Sequence, residues 1–308
     1  MAGIFVFSED SALAKQLLTP ALELKKSLAQ PVTALALNEA DAKELATLGA
    51  DKAVVLESGN KWAEGFAEAI YSQVSGAGAS ILLVGGTLRG KHVAAYVAAK
   101  LNAGMTTDAK TLKIEDRKLL ATRVLYAGLA VGEELVALPA VATIRARTFV
   151  APPAAATAGV VETVAVEGDA RVSLGEVTST SAAGVDISAA TKLVSVGRGF
   201  RKQEDLKLAE DLSGALKAEM SCTRGVAEDE HWLPIERYIG ISGQTVKPEL
   251  YLAVGLSGQV QHMVGCRESK VIVAVNNDER APIFEAADYG IVGDLYEVLP
   301  LLTAALRK

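Results

Sequence analysis

Short apolar runs and longer amphipathic stretches alternate along the first hundred residues. GIFVF (3–7), VTALAL (32–37), KAVVLE (52–57) and SILLVGG (80–86) have strand length and are rich in aliphatic residues. Between them, SALAKQLLTPALELKKSLA (11–29), EADAKELATLG (39–49), WAEGFAEAIYSQV (62–74) and KHVAAYVAAKLNAG (91–104) read as helices. Repeated β-then-α punctuation predicts a parallel sheet with helices on both faces.

From about Lys110 the pattern changes. TLKIED (111–116), LLATRVLY (119–126), ELVAL (134–138) and VATIRARTF (141–149) are strand-like, with turns and no helix between them. They are expected to extend the edge of the first sheet as antiparallel strands. APPAAATAG (151–159) and TSTSAAGVDISAAT (178–191) are rich in Ala, Ser, Thr, Gly and Pro. The second is read as a linker, which divides the chain into 1–187 and 188–308.

A more regular alternation follows. KLVSV (192–196) is ended by GRGF, and EMSCT (219–223) by Arg224. LYLAV (250–254) is ended by GLSG, KVIVAV (270–275) by NND, and YGIVG (289–293) by Asp294. EDLKLAEDLSGALKA (204–218) and LYEVLPLLTAALRK (295–308) read as helices. The fold class is thus α/β: two Rossmann-like three-layer domains with mostly parallel sheets, the first with an added antiparallel β edge. Small or polar residues follow five strand ends in the second domain. Open parallel sheets bind ligands in the crevice beyond those ends, so a site of dinucleotide size is expected there.

One stretch on that rim, LSGQVQHMVG (256–265), packs two glutamines and a histidine between glycines and apolar residues. Ser257 is the candidate N-cap of a helix over 258–265. Val260, Met263 and Val264 have the spacing of a buried face. Gly258 and His262 share another face, where the glycine admits a close ligand and the histidine reaches over it.

Composition narrows the function classes. The chain has 308 residues, half of them hydrophobic, with a net charge of −6 and both signs interspersed. Two domains with large cores fit that length. No Lys/Arg run marks a nucleic-acid surface, and no run of about 20 apolar residues suits a membrane span. The two cysteines, Cys222 and Cys266, do not make a disulfide scaffold. Both read as small packing residues, with Cys222 next to the expected site. The N-terminal segment lacks the pattern of a leader. A bacterial cytoplasmic protein is expected. His92 reads as exposed, and His231 and Trp232 as members of a charged loop. GGTLRGK (85–91) lacks phosphate-loop spacing, and no segment matches G-x-G-x-x-G or a zinc pattern. On residues alone, three classes stay open: a redox-cofactor carrier, an enzyme using His262 as a base, and a nucleotide-sensing module.

LYLAVGLSGQVQHMVG, KVIVAVNND, APIFEAADYGIVGDLYEVLP and VGRGF, taken in order, resemble the alpha subunit of electron-transfer flavoprotein. The resemblance spans the second domain and reaches the first at GGTLRGKHVAAYVAAKLNAGMTTDA. It implies an FAD-binding C-terminal domain and an N-terminal domain at a subunit interface. It places Arg198 along the cofactor, and Thr223 and Arg224 by the flavin. Ile239, Gly240, Ile241 and Ser242 then run past the flavin's reactive edge, with the Ser242 hydroxyl near N5. Ser257, Gly258, Gln259, Val260, Gln261 and His262 lie at the pyrophosphate and the pyrimidine side. His262 donates to the C2 carbonyl region as a protonated imidazole, and Gln261 fixes the neighbouring edge. Asn276, Asp294 and Leu295 hold the adenosine end.

The implied function is an electron-carrier subunit rather than a stand-alone enzyme. It pairs with a beta subunit carrying AMP or a second FAD. It shuttles electrons between acyl-CoA dehydrogenase-type partners, as in fatty acid beta-oxidation, and a quinone oxidoreductase. The alternative is a bifurcating complex using NADH and ferredoxin or flavodoxin. The sequence departs from the family's usual Gly-Gln-Thr-Gly at Gly240–Gly243 and from its Ser-Arg at Thr223-Arg224. SCTRGVAEDEHW and ERYIGIS instead resemble the branch associated with nitrogen fixation, carnitine reduction and anaerobic acyl-CoA metabolism.

Overall fold

The computed structural model describes residues 3–59, 62–126, 130–169, 171, 175 and 186–307. The chain forms two compact units, Met1–Thr178 and Ser179–Lys308. The division expected at 187/188 falls a few residues further on, and residues 178–185 of the expected linker lie outside the described residues.

In the first unit β1 (Ile4–Phe7), α1 (Ser11–Leu28), β2 (Val32–Ala36), α2 (Glu39–Thr47), β3 (Lys52–Glu57), α3 (Ala67–Gly76), β4 (Ile81–Gly85) and α4 (Leu88–Leu101) follow the expected alternation. The caps are local. The Asp10 carboxylate accepts the Leu13 N–H at 2.9 Å, and the Asn38 side chain accepts the Asp41 N–H at 2.9 Å. β1 shows why these strands read as unbroken apolar runs. Ile4 and Val6 pack into a core with α1 and α2, whereas Phe5 and Phe7 pack into one with α3 and α4.

The rest of this unit comprises β5 (Gly104–Thr106), β6 (Ala109–Glu115), β7 (Lys118–Leu125), β8 (Ala130–Ala137), β9 (Ala140–Ile144) and β10 (Val160–Ala165). The main sheet has the order β10-β3-β2-β1-β4-β9-β5, with parallel pairings. β6, β7 and β8 do not extend its edge but pair antiparallel as a sheet of their own. β9 also differs from expectation. Its AVATI run is buried throughout and it joins the main sheet parallel to β4.

In the second unit β11 (Lys192–Val196), α5 (Lys207–Leu216), β12 (Glu219–Cys222), β13 (Leu250–Val254), α6 (Val260–Cys266), β14 (Ile272–Asn276), α7 (Ile283–Ala286), β15 (Tyr289–Val292) and α8 (Leu295–Leu306) build a parallel sheet of order β12-β11-β13-β14-β15. The chain leaves β11 toward β12 on one side and returns to β13 on the other. The carboxyl ends of β11 and β13 therefore flank a topological switch point, where a crevice opens.

Candidate functional site

The crevice has a volume of about 850 Å³, within the range of small-molecule sites. Four strand ends supply its walls. Arg198 and Gly199 follow β11, Thr223 to Gly225 follow β12, Gly255 to Gln259 follow β13, and Asn276 and Asp278 follow β14. The loops after β11 and β13 are pressed together. Gly199 N–H donates to Gly255 O at 2.8 Å, and a Cβ on Gly197 would lie 2.4 Å from Gly255 O. Glycine is required there for backbone-to-backbone contact.

The long connection from β12 to β13 contributes a strap, residues 238–244. Ile239 N–H donates to Cys222 O at 3.0 Å, and Gln244 N–H to Tyr238 O at 2.8 Å. The Tyr238 hydroxyl donates to the Ser242 carbonyl at 2.7 Å. The strap lies flat on α6. Ile241 N–H donates to Gln261 O at 2.9 Å, and a Cβ on Gly265 would lie 2.7 Å from Gly240 N. Ser242 and Ile241 are left exposed at the lip.

Arg198, Thr223, Arg224, Ile239, Gly240, Ile241, Ser242, Ser257, Gly258, Gln259, Gln261, His262 and Asn276 all line this crevice. Val260, Asp294 and Leu295 do not. Asp294 caps α8, its carboxylate accepting Tyr296 N–H at 2.8 Å, and Leu295 is buried near Gly255. Asn276 lines the crevice with its amide already committed. Nδ2 donates to Leu256 O and Oδ1 accepts from Asp278 N, both at 2.9 Å. Arg198 forms no ion pair among the described residues, whereas Arg224 Nε meets Glu228 Oε2 at 2.5 Å.

Three expectations for LSGQVQHMVG are corrected. Ser257 is not an N-cap: α6 begins at Val260, and the cap position is Gln259 without a side-chain bond. The Ser257 carbonyl instead accepts Ile283 N–H at 3.0 Å. Gly258, at φ +75°, is required by Ile283, whose Cα and N would lie 2.5 Å from a Cβ there. The later helix start also shifts the buried face. Val260 is 46% exposed, and His262, Met263 and Cys266 turn inward.

His262 is the third correction. Its side chain does not stand as a free cation over a ligand. It is 7% exposed, with Nδ1 3.0 Å from the Ile239 carbonyl and Nε2 2.6 Å from the Tyr251 hydroxyl. A carbonyl only accepts, so Nδ1 carries the proton and Nε2 accepts from the tyrosine. Burial lowers the pKa to about 4, against a smaller opposing contribution from the Ile239 carbonyl. An unfolded chain gains this proton below about pH 6.5. The native chain gains it only near pH 4. The stability gained by excluding that proton is complete above pH 6.5 and is lost as the pH falls between the two values. From about pH 7 to pH 5 the wild-type protein should lose about 2 kcal/mol more of its stability, read by urea unfolding, than His262→Gln loses. Equal losses would indicate a solvent-facing imidazole.

Burial pushes the thiols of Cys222 and Cys266 up to about 12, so both stay protonated and unreactive. Sequence reasoning missed Tyr238 and Tyr251. The available signal was a tyrosine inside an apolar strand, since a buried hydroxyl needs a partner. Among the described residues, no His/Cys/Asp/Glu group could hold a metal ion, and no helix is long and apolar enough to cross a membrane.

A crevice at the switch point of a parallel sheet, rimmed by exposed hydroxyls and by an arginine with no ion pair among the described residues, has the character of a site for an anionic nucleotide cofactor. The comparisons with known proteins narrow this. A family model described as the electron transfer flavoprotein domain matches residues 6–169, and one described as the electron transfer flavoprotein FAD-binding domain matches residues 186–267. Protein FixB of Escherichia coli O6:K15:H31 (strain 536 / UPEC) is 43% identical over 313 residues, covering 99% of this chain and 98% of that protein. Protein FixB of Shigella flexneri is 42% identical, with the same coverage. The chain belongs to the electron-transfer flavoprotein alpha-subunit family and is of the FixB type. Its cofactor is FAD, and the family implies a beta-subunit partner.

Proposed function

We propose that FAD lies in the crevice of the second unit, and that the chain passes electrons through it while paired with a beta subunit. The supporting observation is the convergence of Arg198, Arg224, Ser242 and the 255–262 segment on one opening. When bound, FAD supplies reversible electron transfer. Arg198, with no ion-pair partner among the described residues, is assigned to the pyrophosphate, as are the peptide groups of the 255–259 loop. Ser242 offers its exposed hydroxyl at the reactive edge, and Ile241 beside it excludes water without adding a hydrogen bond. Asn276 is assigned to the adenosine end through the loop that its amide fastens. Asp294 and Leu295 are assigned there as well, as supports behind the 255–256 turn.

In this reading the electrons come from a dehydrogenase of acyl-CoA type and leave to a quinone oxidoreductase, in the bacterial cytoplasm. Co-expression with the neighbouring subunit should give a yellow complex. Its flavin absorbance should be bleached by a catalytic amount of such a dehydrogenase with its substrate. A colourless complex, or one that no dehydrogenase reduces, would remove the proposal. Arg224 tunes the same step. Its charge favours added negative charge nearby, and Glu228 offsets part of it. Arg224→Ala should lower the first-electron potential by on the order of tens of millivolts, where about 59 mV equals about 1.4 kcal/mol. An unchanged redox titration would show that this arginine only decorates the rim.

A further inference from the structure

The two arginines that line the crevice are not held alike. Arg198 forms no ion pair among the described residues, whereas Arg224 Nε donates to Glu228 Oε2 at 2.5 Å. Glu228 belongs to GVAED (225–229), the segment that follows β12 and Arg224. This segment closes one residue wider than an α-helical turn, with Glu230 N–H donating to Gly225 O at 3.0 Å. Val226 and Ala227 are buried beneath it, and Trp232 N–H donates to the Val226 carbonyl at 3.0 Å. Glu228 is thus carried on a turn that the core fixes. Its carboxylate is partly buried, while the guanidinium that it meets is exposed. Nε–H is one of five donors on that guanidinium, and the other four have no hydrogen bond among the described residues.

We propose that Glu228 is a positioning residue that sets how much of the Arg224 charge reaches the cofactor: its carboxylate holds the guanidinium by Nε at the crevice wall and shares the charge. This rests on the reading of the crevice as the FAD site. A cation shared with a carboxylate stabilises added negative charge less than an unpaired cation does. Glu228 therefore lowers the first-electron potential, against the direction in which Arg224 moves it. Arg198 keeps its whole charge for the cofactor's phosphates. The two arginines thus divide the work, one binding and the other tuning.

Glu228→Gln keeps an acceptor for the Nε–H and removes the charge. Redox titration of the FAD-loaded complex with its neighbouring subunit should show a first-electron potential higher than wild type. The rise should be about fivefold in the one-electron equilibrium, or about 40 mV, the upper range for an exposed ion pair. In an Arg224→Ala background the same substitution should move the potential by less than about a third of that. Glu230→Gln makes the same charge change on a neighbour outside the crevice lining and should stay near wild type. The pair itself is read on the full-length apoprotein by NMR of nitrogen-labelled arginine, with the Arg224 signal assigned by its loss in Arg224→Ala. The Arg224 Nε–H should exchange with solvent more slowly in wild type than in Glu228→Ala.

An equal rise with and without Arg224 would overturn the proposal in favour of a field that acts without the arginine. A potential unchanged or lowered in Glu228→Gln, or raised as far in Glu230→Gln, would overturn it outright. Equal Nε–H exchange in wild type and Glu228→Ala would do the same, since the pair would then not hold in solution. Because that exchange is read without cofactor, a slow Nε–H in a protein whose complex failed to bind FAD would count against the cofactor reading alone.

Discussion

Gly258→Ala is expected to cost about 2–4 kcal/mol of stability and to release the cofactor. Its backbone sits at φ +75°, and an added Cβ would meet Ile283 Cα and N at 2.5 Å. The left-handed conformation alone penalises a side chain by roughly 1 kcal/mol, and overpacking typically adds about 1–3 kcal/mol. Ile283 cannot retreat cheaply, because its N–H is bonded to the Ser257 carbonyl and its side chain is buried. The 255–259 loop must move instead, and that loop is a wall of the crevice. Urea unfolding and an FAD titration of the same preparation check both halves. A variant with normal stability and normal affinity would show that the loop is not held by Ile283.

Arg198→Ala is expected to weaken FAD binding by about 10- to 150-fold, with little effect on folding. Hydrogen bonds to a charged group are worth about 1.5–3 kcal/mol, and each 1.4 kcal/mol is about tenfold in affinity. Arg198 has no ion pair among the described residues. Its side chain crosses Gly225, where a Cβ would lie 3.1 Å from Arg198 Cδ. Removing it therefore takes away a cationic partner for the pyrophosphate without stranding a carboxylate. Affinity should also lose part of its salt dependence. A dissociation constant within about twofold of wild type would place the pyrophosphate elsewhere.

Some of this was legible in the sequence because it is local. The alternation of apolar runs with amphipathic helices follows from side-chain periodicity. The strand-end residues of the second unit were legible as a group, since parallel strands point their carboxyl ends one way. What was not legible depends on distant pairing. β5 has three residues, too few for a pattern, and β10 is an outer strand whose side chains are largely exposed. Nothing local says that β6, β7 and β8 form a separate sheet, because an antiparallel meander reads the same at an edge or alone.

The same reason explains the errors at the site. Ser257 looked like a cap because it precedes a helix-like stretch, but the helix starts two residues past Gly258. His262 looked like a ligand-facing cation because its partners, Ile239 and Tyr251, are 23 and 11 residues away along the chain. Asp294, expected at the adenosine end, also caps α8, a local role that the strand-end reading did not include.

The central claim is that the crevice at the β11/β13 switch point holds FAD. Hydrogen exchange of the full-length apoprotein, with and without added FAD, tests it most directly. FAD should slow exchange in 197–200, 223–225, 239–243 and 255–262 and leave the first unit unchanged. Protection confined to the first unit, for example at 85–91, or absent from all four segments, would contradict the account.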